Sequence, residues 1–221
     1  MNKVITTTSE SETRASSVYY ELKDDILNGK LKPDHKLRLE ALKTDYNVGN
    51  SPLREALNRL SAKGIVVREE NRGFRVSSVS AAELEEIIRT RCWLEEIALR
   101  ESMRNGDDAY DERILLAVYR LSKASDEDAQ VQEDLYRGFH LSLLAACNSQ
   151  LLLTYCAQLH EQTLRYRNLS AVVEYREGHE RKELEAIRDA VLARDEDKAV
   201  QLLISHYHII AKILINSDGL K

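Results

Sequence analysis

From Ser80 to the C-terminal region, apolar residues recur in steps of three and four. Leu84, Ile87, Ile88, Leu94, Ile97 and Ala98 form one series, Ile114, Leu115, Val118 and Leu121 a second, and Leu184, Ile187 and Val191 a third. That period places each series on one face of a helix, so the pattern predicts an all-α bundle. A Ser80-x-x-Glu83 capping box opens it, and polar breaks follow at Asn105-Gly106-Asp107-Asp108, Ser125-Asp126-Glu127, Asn148-Ser149, Asn168 to Glu177 and Arg194-Asp195. Six helices are expected, at roughly 80–104, 108–124, 128–147, 149–168, 172–193 and 195–215. No run approaches the roughly 18 consecutive apolar residues of a membrane span.

The first part of the chain reads differently. Val18, Leu22, Ile26 and Leu27 give residues 17–28 an apolar face, and Gly29 is placed to stop that helix. A short helix is expected from about Leu39 to Tyr46. Asn47-Val48-Gly49-Asn50 then turns the chain into Ser51-Pro52, which reads as an N-cap and a first helical proline for a third helix ending at Lys63-Gly64. Two β-rich segments, Ile65–Arg68 and Phe74–Ser77, flank a hairpin tip at Glu69 to Gly73. Helix, helix, turn, helix, hairpin is the order of a winged helix-turn-helix with a two-stranded wing. The expected division is therefore a disordered polar tail over 1–16, a winged domain over 17–78 and an all-helical domain of six or seven helices over 79–216.

Charge sharpens this division. The chain of 221 residues carries a net charge of −5, which by itself argues against a nucleic-acid partner. Residues 1–77, however, hold 14 Lys and Arg against 11 Asp and Glu, a net of +3, while residues 78–221 hold 18 against 26, a net of −8. Two domains of opposite sign fit this split. The first residues lack the apolar core of a secretory leader, which points to the cytoplasm. Cys92, Cys147 and Cys156 show no C-x-x-C spacing, sit among apolar neighbours and are expected as buried free thiols.

In the third helix Leu53, Ala56, Leu57 and Leu60 share the inner face and leave Ser51, Arg54, Asn58 and Arg59 outward. An arginine there can bond guanine O6 and N7 together, Ser or Asn can bond bases or phosphates, and the helix N-terminus attracts a phosphate. Asn71, Arg72 and Gly73 would bring a cation and bare backbone to the duplex. Taken singly, Arg54 and Arg59 read equally well as a solvated helix face. Together, Lys36-Leu37-Arg38-Leu39-Glu40, Val48-Gly49-Asn50-Ser51-Pro52-Leu53-Arg54-Glu55-Ala56-Leu57 and Asn71-Arg72-Gly73-Phe74-Arg75-Val76 resemble the N-terminal domain of GntR-family transcription regulators over residues 17–78. The resemblance implies DNA binding through Arg38, Asn50, Ser51, Arg54, Asn58, Arg59, Asn71, Arg72 and Gly73. Asn50 stands where the family usually has an arginine, which shifts the reading load onto Arg54, Arg38 and the wing.

The helical part resembles the FadR-type branch of that family, on Arg91-x-x-Leu94-Glu95, Phe139-His140, Ala146-x-Asn148 and the segment from Ala190 to His206. In many members an Asp-x-x-x-His pair and two later histidines hold a divalent metal. His140 and His206 match that pattern, but Tyr136 and Leu184 replace the other two ligands, and a divalent ion needs three or more protein donors. No cofactor is implied with certainty, and a divalent metal on His140 and His206 stays an alternative. Arg91, Tyr136, His140, Arg165, Arg167 and His206 are the candidate effector-binding residues, because guanidinium groups inside an apolar bundle suit a small carboxylate. Within the family, Arg165-Tyr166-Arg167 and Ala193-Arg194-Asp195 look most like a branch of glutarate-responsive repressors. A homodimeric repressor of a palindromic double-stranded DNA operator is expected on this resemblance, the arginines point to its release by a small carboxylate, and no membrane partner is expected. A metal-dependent enzyme in the bundle is the alternative. It lacks both an H-E-x-x-H spacing and a nucleophile motif.

Overall fold

The structure, a computed structural model, describes residues 6–70, 73–123, 129–169 and 179–216. The chain forms two compact units, residues 1–79 and 80–221.

In the first unit, α1 (Thr6–Leu27) is followed by β1 (Lys36–Leu37), α2 (Leu39–Asp45), α3 (Asn50–Ala62), β2 (Val66–Glu69) and β3 (Gly73–Val76). Val18, Leu22 and Ile26 of α1 meet Leu53, Leu57 and Leu60 of α3 in one core, closed below by Leu37, Phe74 and Val76. One expectation is corrected here. Helix α1 starts at Thr6 rather than residue 17, so the tail read over 1–16 is in part helical. The two expected wing strands are β2 and β3, and β1 adds a third strand to their sheet: β3 pairs antiparallel with both, with Leu37 opposite Phe74 and Val66 opposite Val76. The two-residue β1 is too short to show a period of its own, and it forms because its Leu37 is drawn into the core beside Phe74. Gly29 and Gly64 adopt φ of 73° and 72°, the left-handed geometry that ends a helix and that a Cβ disfavours.

Helix α3 also begins two residues earlier than the Ser51-Pro52 pattern suggests. Gly49 is the N-cap, and no side chain caps the helix. Pro52 still lies in the first turn, where its missing N–H would have had no intrahelical partner.

The second unit contains α4 (Ala81–Asn105), α5 (Asp108–Lys123), α6 (Ala129–Leu143), α7 (Gln150–Leu169), α8 (Arg181–Leu192) and α9 (Glu196–Asn216). Ser80 caps α4, its Oγ accepting from the Glu83 N–H at 3.1 Å. Gly106 ends α4 where Tyr110 folds back, and a Cβ there would lie 2.3 Å from the tyrosine ring. By length and mean hydropathy α9 could cross a membrane, but it packs against α4 and α8 and buries Leu203, Tyr207, Ile210 and Leu214. Residues 170–178, where a polar break and the start of the fifth bundle helix were expected, lie outside the described residues.

Candidate functional site

The first unit presents α3 as an outward ridge. Leu53, Ala56, Leu57 and Leu60 are buried, while Asn50, Ser51, Arg54 and Asn58 are exposed. Arg54 lines a surface concavity together with Leu39, Arg68, Glu69, Glu70, Gly73 and Phe74, so the helix and the wing share one hollow. Arg38, at the N-cap of α2, is exposed as well. Arg59 is placed differently: its guanidinium stacks 4.3 Å above the Tyr19 ring and bonds Ser16 Oγ at 3.3 Å, which ties it to α1. Asn71 and Arg72 lie outside the described residues, while Gly73 has a φ of 92° that only glycine adopts without strain. Arg68 was missed by the sequence reading. The register sets it opposite the buried Phe74, on the face alternation would bury, yet it is exposed, and the β-rich segment gives no sign that it shares a hollow with Arg54.

The second unit buries an unusual number of charged side chains. Arg91, Glu95, Glu133, His140, His160, Arg165, Arg167, Glu180 and His206 are each at most 5% exposed. They form two related clusters. Arg91 bonds Glu95 at 2.8 Å, lies 4.2 Å over the Tyr207 ring, and reaches Thr163 Oγ1 at 3.2 Å and His160 Nδ1 at 3.4 Å on α7. Arg167 lies 4.0 Å over the Tyr136 ring, bonding Glu133 of α6 at 3.1 Å and Glu180, just before α8, at 3.0 Å. Burial alone would lower both arginines, but Glu95 holds Arg91 above its ordinary range, and Glu180 with Glu133 does the same for Arg167.

The imidazoles of His140, His160 and His206 lie between these clusters, with His140 5.7 Å from His160 and 5.6 Å from His206 between ring centres. His206 Nδ1 lies 2.7 Å from Glu183, and its Nε2 lies 2.7 Å from the Tyr136 hydroxyl. A carboxylate only accepts, so Nδ1 donates to it, and the phenol, kept protonated by burial, donates to Nε2. Tyr207 in turn donates to Glu95 and lies 3.0 Å from His140 Nδ1, so it accepts from that nitrogen. His140 Nε2 is left buried without a hydrogen-bond partner.

This arrangement does not fit a divalent metal. Both nitrogens of His206 are engaged, Tyr136 supplies a phenol that donates, and Leu184 has no donor. Among the described residues no group of three His, Cys, Asp or Glu side chains is placed to hold an ion. His179 and His208 are exposed. Arg165, two residues and about 200° around α7 from Arg167, has Glu83 at the start of α4 as its acidic neighbour, and burial pulls it below its usual range. Tyr136, His140, Arg167 and His206 are thus brought together, Arg91 joins them through His160 and Tyr207, and Arg165 sits apart. His160 and Tyr207 were missed. His160 precedes Arg167 by seven residues, two helical turns, and that spacing could have revealed it.

The cleft lined by Val118, Leu121, Glu133, Tyr136, Arg167, Glu180 and Leu184 encloses only about 40 Å³. That is room for a few waters, whereas small-molecule pockets run to roughly 300–1,000 Å³. The Cys92 and Cys156 thiols are pushed up by burial, to about 11 and about 12, which makes them poor nucleophiles.

Residues 14–76 match the model of bacterial regulatory proteins of the gntR family, and residues 86–208 match the FCD domain. The chain belongs to the gntR family. This GntR regulator is 33% identical over 199 residues to the HTH-type transcriptional repressor GlaR of Escherichia coli, covering 85% of this chain and 90% of that one. It is 32% identical to the HTH-type transcriptional regulator BphR of Paraburkholderia xenovorans, over 86% of this chain and 80% of the relative. Among solved structures, a GntR regulator from Rhodococcus sp. RHA1 superposes with a TM-score of 0.78 at 21% identity, covering 92% of this chain and 98% of that chain, which establishes likeness of fold. These relatives are transcription regulators and not enzymes, so the enzyme alternative falls. GntR regulators bind DNA and typically dimerise.

Burial keeps His140 and His160 neutral, with the nearby cations acting in the same direction, so both titrate well below the ordinary histidine range. Unfolded, both would titrate near 6.5. The unfolded chain therefore takes up protons first as pH falls. The stability is fully present above about 6.5 and declines below it by up to roughly 1.4 kcal/mol per pH unit per histidine, until the folded-state values are reached. Unfolding free energies from urea titrations at pH 7.5 and 5.5 are expected to differ by up to about 3 kcal/mol more in the wild type than in a His140→Gln/His160→Gln variant.

Proposed function

We propose that the protein is a homodimeric cytoplasmic repressor that holds a palindromic operator with its two winged units and releases it when a small dicarboxylate enters the helical unit. The observation that carries this reading is the pair of buried arginines, Arg91 and Arg167, each stacked on a tyrosine and flanking three histidines within the unit that follows a DNA-reading fold in the chain. On the DNA side, the uncapped N-terminus of α3 offers free N–H groups to a phosphate, and Asn50, Ser51, Arg54 and Asn58 offer donors to bases. Arg38 and the Asn71-Arg72-Gly73 wing tip add contacts to the backbone. Two-fold symmetry of a homodimer calls for a two-fold operator. Trp93 and Ile97 on α4, and Leu151 and Tyr155 on α7, are exposed apolar pairs on two helices that pack together, the kind of surface a second copy covers.

On the effector side, the arginine forks are already engaged by glutamates, so a ligand carboxylate binds by exchange. It takes the place of Glu180 or Glu133 on Arg167, and a second carboxylate does the same at Arg91 beside His160. Exchange costs less than burying a new unpaired charge, because each guanidinium keeps an acidic partner throughout. The displaced glutamates and the small size of the cleft require α6, α7 and α8 to separate. That requirement supplies the differential affinity that any effector needs in order to shift a conformational equilibrium.

A thermal-shift screen of straight-chain dicarboxylates tests the assignment, since a ligand that binds only the folded chain raises its melting temperature. A rise with a dicarboxylate and none with the matching monocarboxylate is expected. Manganese, zinc or EDTA are expected to leave both the melting temperature and the ligand shift unchanged, and a shift that needs added metal would restore the metal reading.

A further inference from the structure

The start of α4 is closed by an unusual contact. In a capping box the carboxylate at the third helical position reaches back to the N-cap N–H. Here Ser80 Oγ accepts from the Glu83 N–H at 3.1 Å as expected, but the return half passes through Tyr166 of α7. The Ser80 N–H donates to the Tyr166 hydroxyl at 3.4 Å, and that hydroxyl donates to Glu83. Tyr166 itself is buried, at 1% exposed, while its partner Ser80 is exposed. Its neighbour Arg167 is the arginine gripped by Glu133 and Glu180 in the cleft. One turn of α7 therefore holds the charged cluster with one side chain and, with the next, the first residue of the helical unit, where the chain arrives from the DNA-reading unit.

We propose that Tyr166 transmits the state of the cavity to the segment joining the two units: when Arg167 exchanges its glutamates for a ligand carboxylate, the last turn of α7 shifts and Tyr166 releases or re-aims the Ser80 cap of α4. This rests on the dicarboxylate reading above. Tyr166 is a positioning residue and touches no ligand. Adjacent residues on one helical turn cannot move independently, and a hydroxyl between two partners has two discrete arrangements, cap held or cap open, which is what a coupling element requires.

The test uses the full chain, an operator selected from random duplex DNA, and glutarate as the probe. In Tyr166→Phe, glutarate affinity by calorimetry and operator affinity without glutarate are each expected within about threefold of wild type. The glutarate-induced weakening of operator binding, about 5- to 150-fold for coupled sites, is expected to fall below about twofold. A merely structural role would move stability without separating binding from release. Full release by Tyr166→Phe overturns the proposal, and so does a loss of glutarate affinity beyond about tenfold, which would put Tyr166 in the binding site. If Tyr166→Phe does not fold, Glu83→Gln is expected to give the same separation, and normal release by it overturns the proposal. If wild type fails to bind glutarate, the dicarboxylate reading fails, and transmission is read from Arg167→Lys. That substitution must change operator affinity in the presence of Tyr166 and not when combined with Tyr166→Phe; equal effects in both, or none, overturn the inference.

Discussion

Arg54→Ala is expected to abolish specific operator binding while leaving the fold intact. The side chain is exposed on α3, on the face opposite the buried Leu53, Ala56, Leu57 and Leu60, so its removal opens no cavity and leaves no charge unpaired. A bidentate arginine–guanine contact contributes about 1–3 kcal/mol of discrimination, and a homodimer makes it twice, so specific affinity falls by about two to four orders of magnitude. Asn50 cannot compensate, because it lacks the arginine fork. Fluorescence anisotropy with the selected operator and with a scrambled duplex separates this loss from a general electrostatic one. An Arg54→Ala protein that still prefers its operator would move the reading elsewhere, to Arg68 or the wing. Arg59→Ala is the control: because Arg59 is stacked on Tyr19, its removal is expected to lower stability more than operator selectivity.

The second large effect concerns Arg167. Truncating it to Ala removes the buried guanidinium that Glu133 and Glu180 share, and breaking a buried ion pair from one side typically destabilises by about 3–5 kcal/mol. Arg167→Ala is thus expected to lower the urea midpoint sharply as well as to remove the response to ligand. Arg165→Ala has no such consequence for the glutamates that grip Arg167. A triple change, Arg167→Met with Glu133→Gln and Glu180→Gln, removes the charge imbalance and is expected to recover most of the stability without recovering the response. Equal stability of Arg167→Ala and wild type in urea would contradict the buried network. Recovery of the ligand response by the triple variant would move the site away from Arg167.

The same residues show which features could be read from the sequence. Helix positions in the bundle followed from Leu84, Ile87 and Ile88 and their counterparts, because a 3.6-residue period is written locally, and the Ser80-x-x-Glu83 cap is local as well. Strand β1 was not legible, since Lys36-Leu37 becomes a strand only by pairing with Arg75 and Phe74 nearly forty residues away. Matching the metal pattern to His140 and His206 found two members of the cavity but not what surrounds them. His160, Glu133, Glu180 and Tyr207 come from four different segments, and only the fold shows that they answer the charge of Arg91 and Arg167. Tyr166 was visible as part of Arg165-Tyr166-Arg167, yet its partner Ser80 lies 86 residues away, and no local rule joins a tyrosine to a distant N-cap.

On this reading one chain couples a DNA-reading face to a carboxylate-binding cavity. The most direct test is a titration of the full-length protein onto its selected operator with and without saturating glutarate, at fixed salt and free of added metal. Operator affinity is expected to fall about 5- to 150-fold with glutarate and not at all with an equal concentration of butyrate. Operator affinity that is the same under all three conditions, with glutarate shown to be bound, would contradict it.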